Sequence, residues 1–197
     1  MKISRRLTAI AGVAAALALP AASQAQVTYF TTGVFSSSGT NTVTSNGMTI
    51  TYSALGSTTV FPTPSGIHFG DFLTSGTPTT SSGSPFSTDF TLTVTQTSPS
   101  NGTGTFAGAV SGTLFSNGSQ AYWVPTGPLS FNAGISTYTL FTQSSTPAGP
   151  GYTLVPPSQG GQTTLQGYVV TPEPSSMALL GTGLIGLVPM IRRKKQK

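Results

Sequence analysis

Cysteine is absent from all 197 residues, so the chain has no disulfide, no thiol nucleophile and no thiolate metal site. Basic residues are missing from the whole interior. The eight Lys and Arg are Lys2, Arg5 and Arg6 at one end and Arg192, Arg193, Lys194, Lys195 and Lys197 at the other. The sequence pI near 9.8 therefore belongs to the two ends and not to what lies between them. Nucleic acid is excluded as a partner, because neutralising phosphates takes several Lys or Arg on one face. Acids are equally scarce: Asp71, Asp89 and Glu173 are the only three, and His68 is the single histidine. Catalysis needs groups that titrate or coordinate, so an enzyme is hard to assemble from this inventory.

What is present begins with two segments of unlike design. Lys2, Arg5 and Arg6 precede an apolar run from Leu7 to Leu19, followed by Pro20 and small residues. That is the layout of a secretory signal peptide, and Ser23-Gln24-Ala25 puts small residues at −3 and −1 of a cleavage point. Residues 1–25 are expected to be removed, leaving Gln26 as the first residue. At the other end, Thr171-Pro172-Glu173-Pro174-Ser175-Ser176 leads into an uncharged stretch from Met177 to Ile191 that stops at Arg192-Arg193-Lys194-Lys195. Lys and Arg resist translocation, so this reads as a stop-transfer signal with the basic tail kept cytoplasmic. At 1.5 Å rise, about fifteen residues cover only ~22 Å as a helix, short of a ~30 Å hydrocarbon core. Gly181, Gly183, Gly186 and Pro189 weaken that helix further. Such a segment suits a temporary hold in the membrane.

A Pro-Glu-Pro triplet, a Gly-punctuated apolar helix and a basic terminus, in that order and behind a signal peptide, resemble the PEP-CTERM signal of bacterial surface proteins. The resemblance covers residues 171–197, with Thr171 where the family usually has Val. It implies recognition of Pro172, Glu173 and Pro174 in the inner membrane by an exosortase, a membrane protease thought to remove the tail and pass the protein to the cell surface. The implied partners are exosortase, the export machinery and, transiently, the inner membrane.

Residues 26–170 fit one domain of ordinary size. Ser and Thr make up 54 of the 146 residues from Gln26 to Thr171, which with scattered Gly and Pro favours short strands and turns over helices. Phe90, Leu92 and Val94 alternate with threonines, the mark of a half-buried strand. The next alternating run is Phe106, Gly108, Val110, Gly112 and Leu114, preceded by the turn signal Asn101-Gly102, so the two are read as a hairpin. Further strands are expected at 28–32, 48–52, 67–73, 121–124, 137–142, 152–155 and 164–170. Nine short strands with turns between them predict an all-β fold, an antiparallel β-sandwich of jelly-roll or immunoglobulin-like kind. Thr74 to Pro85 and Ser144 to Gly151 read as loops.

Within this domain, Asp71 and Asp89 are the only carboxylates available for glycoside cleavage, and they fall on different expected elements. His68 and Asp71 are three apart, a spacing that in a regular strand sends side chains to opposite faces, so neither a dyad nor a shared metal is expected. A Ser-His-Asp triad lacks the Gly-x-Ser-x-Gly elbow that would select its serine. Calcium would need several oxygen ligands and finds no loop motif. No metal or cofactor is therefore expected. Tyr122 and Trp123 are the aromatic pair that offers a glycan contact, against the commoner fate of a lone Trp as core.

The sequence thus describes a non-enzymatic exported protein of the cell surface or extracellular matrix, whose hydroxyl-rich faces meet polysaccharide or protein. A dedicated glycan-binding module is the second reading, and a glycoside hydrolase the third. One consequence concerns charge. A fragment from Gln26 to Val170 loses every Lys and Arg and keeps Asp71, Asp89 and a terminal carboxylate against one amine, so it is expected to be acidic. Isoelectric focusing of that fragment should place it below pH 7, and a focusing point above 7 would contradict the assignment of the basic character to the two ends.

Overall fold

Alternation of apolar and hydroxyl side chains commits one face of each segment to the core and leaves the other in water. The structure, a computed structural model, describes residues 26–172, and these form one unit. The strands are Val27–Phe35 (β1), Thr42–Ser45 (β2), Met48–Ala54 (β3), Thr58–Val60 (β4), Ser65–Gly76 (β5), Ser84–Ser98 (β6) and Gly102–Leu114 (β7). They continue with Tyr122–Pro125 (β8), Ser130–Ala133 (β9), Ser136–Leu140 (β10), Ser144–Thr146 (β11), Gly149–Thr153 (β12) and Gln162–Val170 (β13). Among the described residues the one helical element is a 3₁₀ turn, Pro157–Gln159.

Two antiparallel sheets result. The first has seven strands in the order β11-β12-β8-β7-β6-β1-β4, the second six in the order β2-β3-β5-β13-β10-β9. The expected hairpin is the long β6–β7 pair, in register from Ser84↔Leu114 to Gln96↔Gly102. All nine expected strands are present. The four that periodicity did not reveal, β2, β4, β9 and β11, are the four sheet edges, each only three or four residues long. Two corrections concern loops. Ser144 to Gly151 is not a loop but the β11–β12 hairpin, with Ser144 opposite Gly151 and Thr146 Oγ1 donating to the Gly149 carbonyl at 2.7 Å. The loop expected from Thr74 to Pro85 is shorter than that, residues 77–83, because β5 runs on to Gly76 and β6 starts at Ser84.

The inward faces of the two sheets meet through aromatic rings. Phe72 of β5 and Phe90 of β6 meet at 4.8 Å between centroids, and Phe69 of β5 and Phe106 of β7 at 5.4 Å. Both pairs lie in the range where edge-to-face packing adds to area burial. Outward, hydroxyls pair across strands, as in Thr42–Thr51 at 3.2 Å and Thr44–Thr49 at 3.0 Å. Such pairs support a sheet surface without charge.

Four buried tyrosines tie one sheet to the other. Tyr29 of β1 donates to the His68 carbonyl of β5 at 2.7 Å. Tyr52 of β3 lies within hydrogen-bond distance of Thr31 Oγ1 on β1, 2.9 Å, and of the Phe69 carbonyl, 2.5 Å. Tyr138 of β10 donates to Gln96 Oε1 of β6 at 2.9 Å. Tyr152 of β12 reaches the carbonyls of Phe141 and Gln166, beyond and within the second sheet. Two of these contacts, those to the His68 and Phe69 carbonyls, end on a β-bulge. Against β13, Gly70 pairs with Leu165 but His68 pairs with Gln166, so Phe69 is the extra residue. Gly70 holds φ +124, a left-handed conformation open to glycine at little cost.

A Cβ at Gly70 would lie 2.6 Å from the Ser53 carbonyl and 2.6 Å from the Tyr52 hydroxyl. Gly70→Ala should therefore cost about 2 kcal/mol or more, from backbone strain plus the clash. Urea denaturation followed by Trp123 fluorescence checks this; an unchanged midpoint would show that the bulge does not constrain the fold.

The same phenols set the response to alkali. Burial pushes Tyr29 and Tyr152 up to about 12 and raises Tyr52 and Tyr138 as well. Above the ordinary phenol value, about 10, the unfolded chain releases protons that the folded chain keeps. The stability that these neutral phenols confer is thus fully present below pH ~10 and lost as pH rises towards ~12, by roughly 1.4 kcal/mol per pH unit for each tyrosine. Urea midpoints should be level up to about pH 10 and then drop steeply, whereas a flat profile through pH 11 would contradict the buried-phenol arrangement.

Candidate functional site

The bulge in β5 also decides where the titratable groups go. In a regular strand His68 and Asp71 would face opposite ways, but the extra residue at Phe69 resets the alternation, so that Phe69 and Gly70 are both buried and His68 and Asp71 share the outer face. The expectation that they stay apart is corrected: His68 Nε2 lies 3.4 Å from Asp71 Oδ2. Thr164 of β13, opposite Asp71 in register, donates its hydroxyl to Asp71 Oδ1 at 2.7 Å. The carboxylate therefore holds both the imidazole and the hydroxyl. The hydroxyl points at the carboxylate rather than at the imidazole, which is not the order a nucleophile and base require. Among the described residues no three His, Cys, Asp or Glu gather as a metal set. Asp89 is exposed on β6, on the outer face of the other sheet. The two aspartates thus lie on different sheets, unlike the facing pair of a glycosidase.

Tyr122 and Trp123 occupy opposite faces of β8, as period two requires. Trp123 is buried completely, with ring centroids 5.9 Å from Phe72 and from Phe90 and 5.8 Å from Tyr152. Its role as a glycan contact is corrected: the ring belongs to the core, where its Nε1–H finds no hydrogen-bond partner. Tyr122 turns outward. Strand pairing sets it in a row that crosses the seven-stranded sheet, Ser87 opposite Ser111, Ser111 opposite Tyr122, and Tyr122 opposite Thr153. Ser144 extends the row, its hydroxyl 3.3 Å from that of Thr153.

Two shallow grooves border this row. One, of about 250 Å³, holds Ser36, Thr88, Asp89 and Ser111. The other, of about 540 Å³, holds Tyr122 with Thr113, Gln120, Thr146 and Thr153. Hydroxyls, one amide, one phenol and the Asp89 carboxylate offer hydrogen bonds of both senses to a polyol, and neither groove has a Lys or Arg to hold an anion. Ser111, Gln120 and Thr153 went unremarked in the sequence because their importance comes from which strands become neighbours. The only local signal was the outward phase of Tyr122 beside an inward Trp.

The last described residues lead to the sorting segment. Thr171 is buried, its hydroxyl 2.8 Å from that of Ser136, and Pro172 is exposed. Ser23, Ala25, Glu173, Pro174, Arg192, Arg193, Lys194, Lys195 and the expected apolar helix lie outside the described residues. Among the described residues no helix is long and apolar enough to cross a membrane. Residues 170–195 match the model of the PEP-CTERM protein-sorting motif. The chain therefore carries the sorting signal that exosortases recognise, and this marks it as exported to the cell surface or the extracellular space. No curated protein and no solved structure matches the chain.

Proposed function

We propose that this is a non-enzymatic protein of the cell surface or extracellular matrix, held briefly in the inner membrane, processed by an exosortase, and contacting polysaccharide or neighbouring protein through hydroxyl-rich sheet faces of low charge. The observation that carries the reading is the sorting motif at residues 170–195, joined directly to a domain without a single Lys or Arg. A basic tail needed only for membrane sorting is expendable afterwards, and the remaining domain has hydroxyls as its main surface chemistry. The separation of Asp71 from Asp89 and the wrong order of the Thr164, Asp71 and His68 contacts favour binding over catalysis. A dedicated glycan-binding module is the second reading, favoured by the outward Tyr122 in its hydroxyl-lined groove.

Pro172, Glu173 and Pro174 act together in this scheme. Proline on both sides of Glu173 disfavours helix, so an extended tripeptide presents one carboxylate just outside the membrane. Replacing the triplet with Ala-Ala-Ala should leave export and stop-transfer intact, since those depend on the signal peptide and on Arg192 to Lys195. The variant should collect at the inner membrane with its tail, while the parent reaches the surface without it. Fractionation with intact-mass analysis decides; identical processing and location of the two would refute the sorting role of the triplet.

A further inference from the structure

The opposite face of the domain carries a feature that the Tyr122 groove lacks. On β13, Leu165, Gly167 and Val169 point inward, so Tyr168 points out. Phe141, just past β10, is 47% exposed, and its ring lies 6.5 Å from that of Tyr168 at an interplanar angle of 28°. Two nearly parallel rings therefore lie together on the outer face of the six-stranded sheet. On the β5 side the register places Gly66 opposite Tyr168, and a Cβ at Gly66 would meet nothing within 4 Å. The space beside the tyrosine ring is thus open.

Polar groups fringe the rings. Gln166, the next outward residue on β13, is exposed, and among the described residues its carboxamide has no protein partner. His68 sits opposite Gln166 in register, half-exposed and held by Asp71. An aromatic platform edged by a free amide and an oriented imidazole fits a pyranose ring, whose C–H face is apolar and whose rim is hydroxyl. Charge narrows the class further. No Lys or Arg exists in residues 26–172, and among the described residues the carboxylate on the platform's own sheet is Asp71, so a uronate or sulfated polymer would find repulsion and no partner.

The geometry points to a second glycan site, in which Phe141 and Tyr168 stack on the sugar rings of a neutral polysaccharide while Gln166 and His68 hydrogen-bond its hydroxyls. This rests on the extracellular reading above and gives it a ligand class. Stacking needs the ring and not the phenol hydroxyl, so Tyr168→Phe keeps the site and Tyr168→Ala does not.

The test is native affinity electrophoresis of the full chain in detergent, through gels containing hydroxyethyl cellulose, dextran or galactomannan, with polygalacturonate as the acidic comparison. The parent should be retarded by at least one neutral polymer through the platform, whereas any retardation by polygalacturonate, which the basic ends of the full chain attract, should be the same in the Phe141→Ala/Tyr168→Ala double variant. Phe141→Ala and Tyr168→Ala should each weaken the dissociation constant about tenfold, in line with the loss of one aromatic contact. Tyr168→Phe should bind as the parent does. Gly66→Glu, which fills open space without disturbing the core, should block binding with Trp123 fluorescence unchanged. Undiminished binding by the Phe141→Ala/Tyr168→Ala double variant would overturn the platform while leaving a polysaccharide role intact. Polygalacturonate retardation that the double variant loses would overturn the preference for a neutral polymer, and failure of the parent to bind any neutral polymer would overturn the proposal together with the polysaccharide part of the functional reading.

Discussion

One irregularity, the bulge at Phe69 and Gly70, connects most of what this domain does. It turns the carbonyls of His68 and Phe69 towards the hydroxyls of Tyr29 and Tyr52, so that one phenol bonds across to it from the other sheet and a second, which also reaches Thr31 of the other sheet, bonds to it within its own. It also resets the alternation of β5, which is why the single histidine and one of the two domain aspartates end up side by side on the surface. A core rich in tyrosine needs such acceptors, since a buried hydroxyl left unpaired costs about 1–3 kcal/mol. Without cysteine or buried salt bridges, phenols reaching across the interface provide the specific, directional contacts between the sheets.

The strands that alternate strongly were legible because burial of one face imposes period two. Phe90, Leu92 and Val94 sit at the centre of a seven-stranded sheet and show it plainly. The four strands that escaped notice are the sheet edges, where a strand has one neighbour and less to bury, so composition there follows turn chemistry instead. Ser144-Ser145-Thr146 looks like a linker by residue type and is held as a strand by backbone pairing. Their shortness also blunts the open edges that would otherwise recruit further chains.

The candidate surfaces were less legible for a different reason. A bulge is set by packing between strands distant in sequence, so nothing near His68 announces that it will meet Asp71. The row from Ser87 to Thr153 draws on β6, β7, β8 and β12, and only the register makes it a row. Trp123 shows the converse. As the sole tryptophan it attracted a functional reading, whereas its bulk made it the natural filler between Phe72, Phe90 and Tyr152.

The two halves of the account meet in the charge distribution. In the proposed function, export and sorting are carried by ends that hold every basic residue, and the domain between them holds none, so its surface offers mainly hydroxyl, amide and aromatic chemistry, with Asp71, Asp89 and His68 as its few ionisable groups. Such a domain suits contact with a neutral matrix after the ends have gone. The intact mass of the chain recovered from the cell surface tests this most directly. The account predicts a species lacking residues 1–25 and the basic cluster Arg192 to Lys197, and a mass that still includes Lys197 would contradict it.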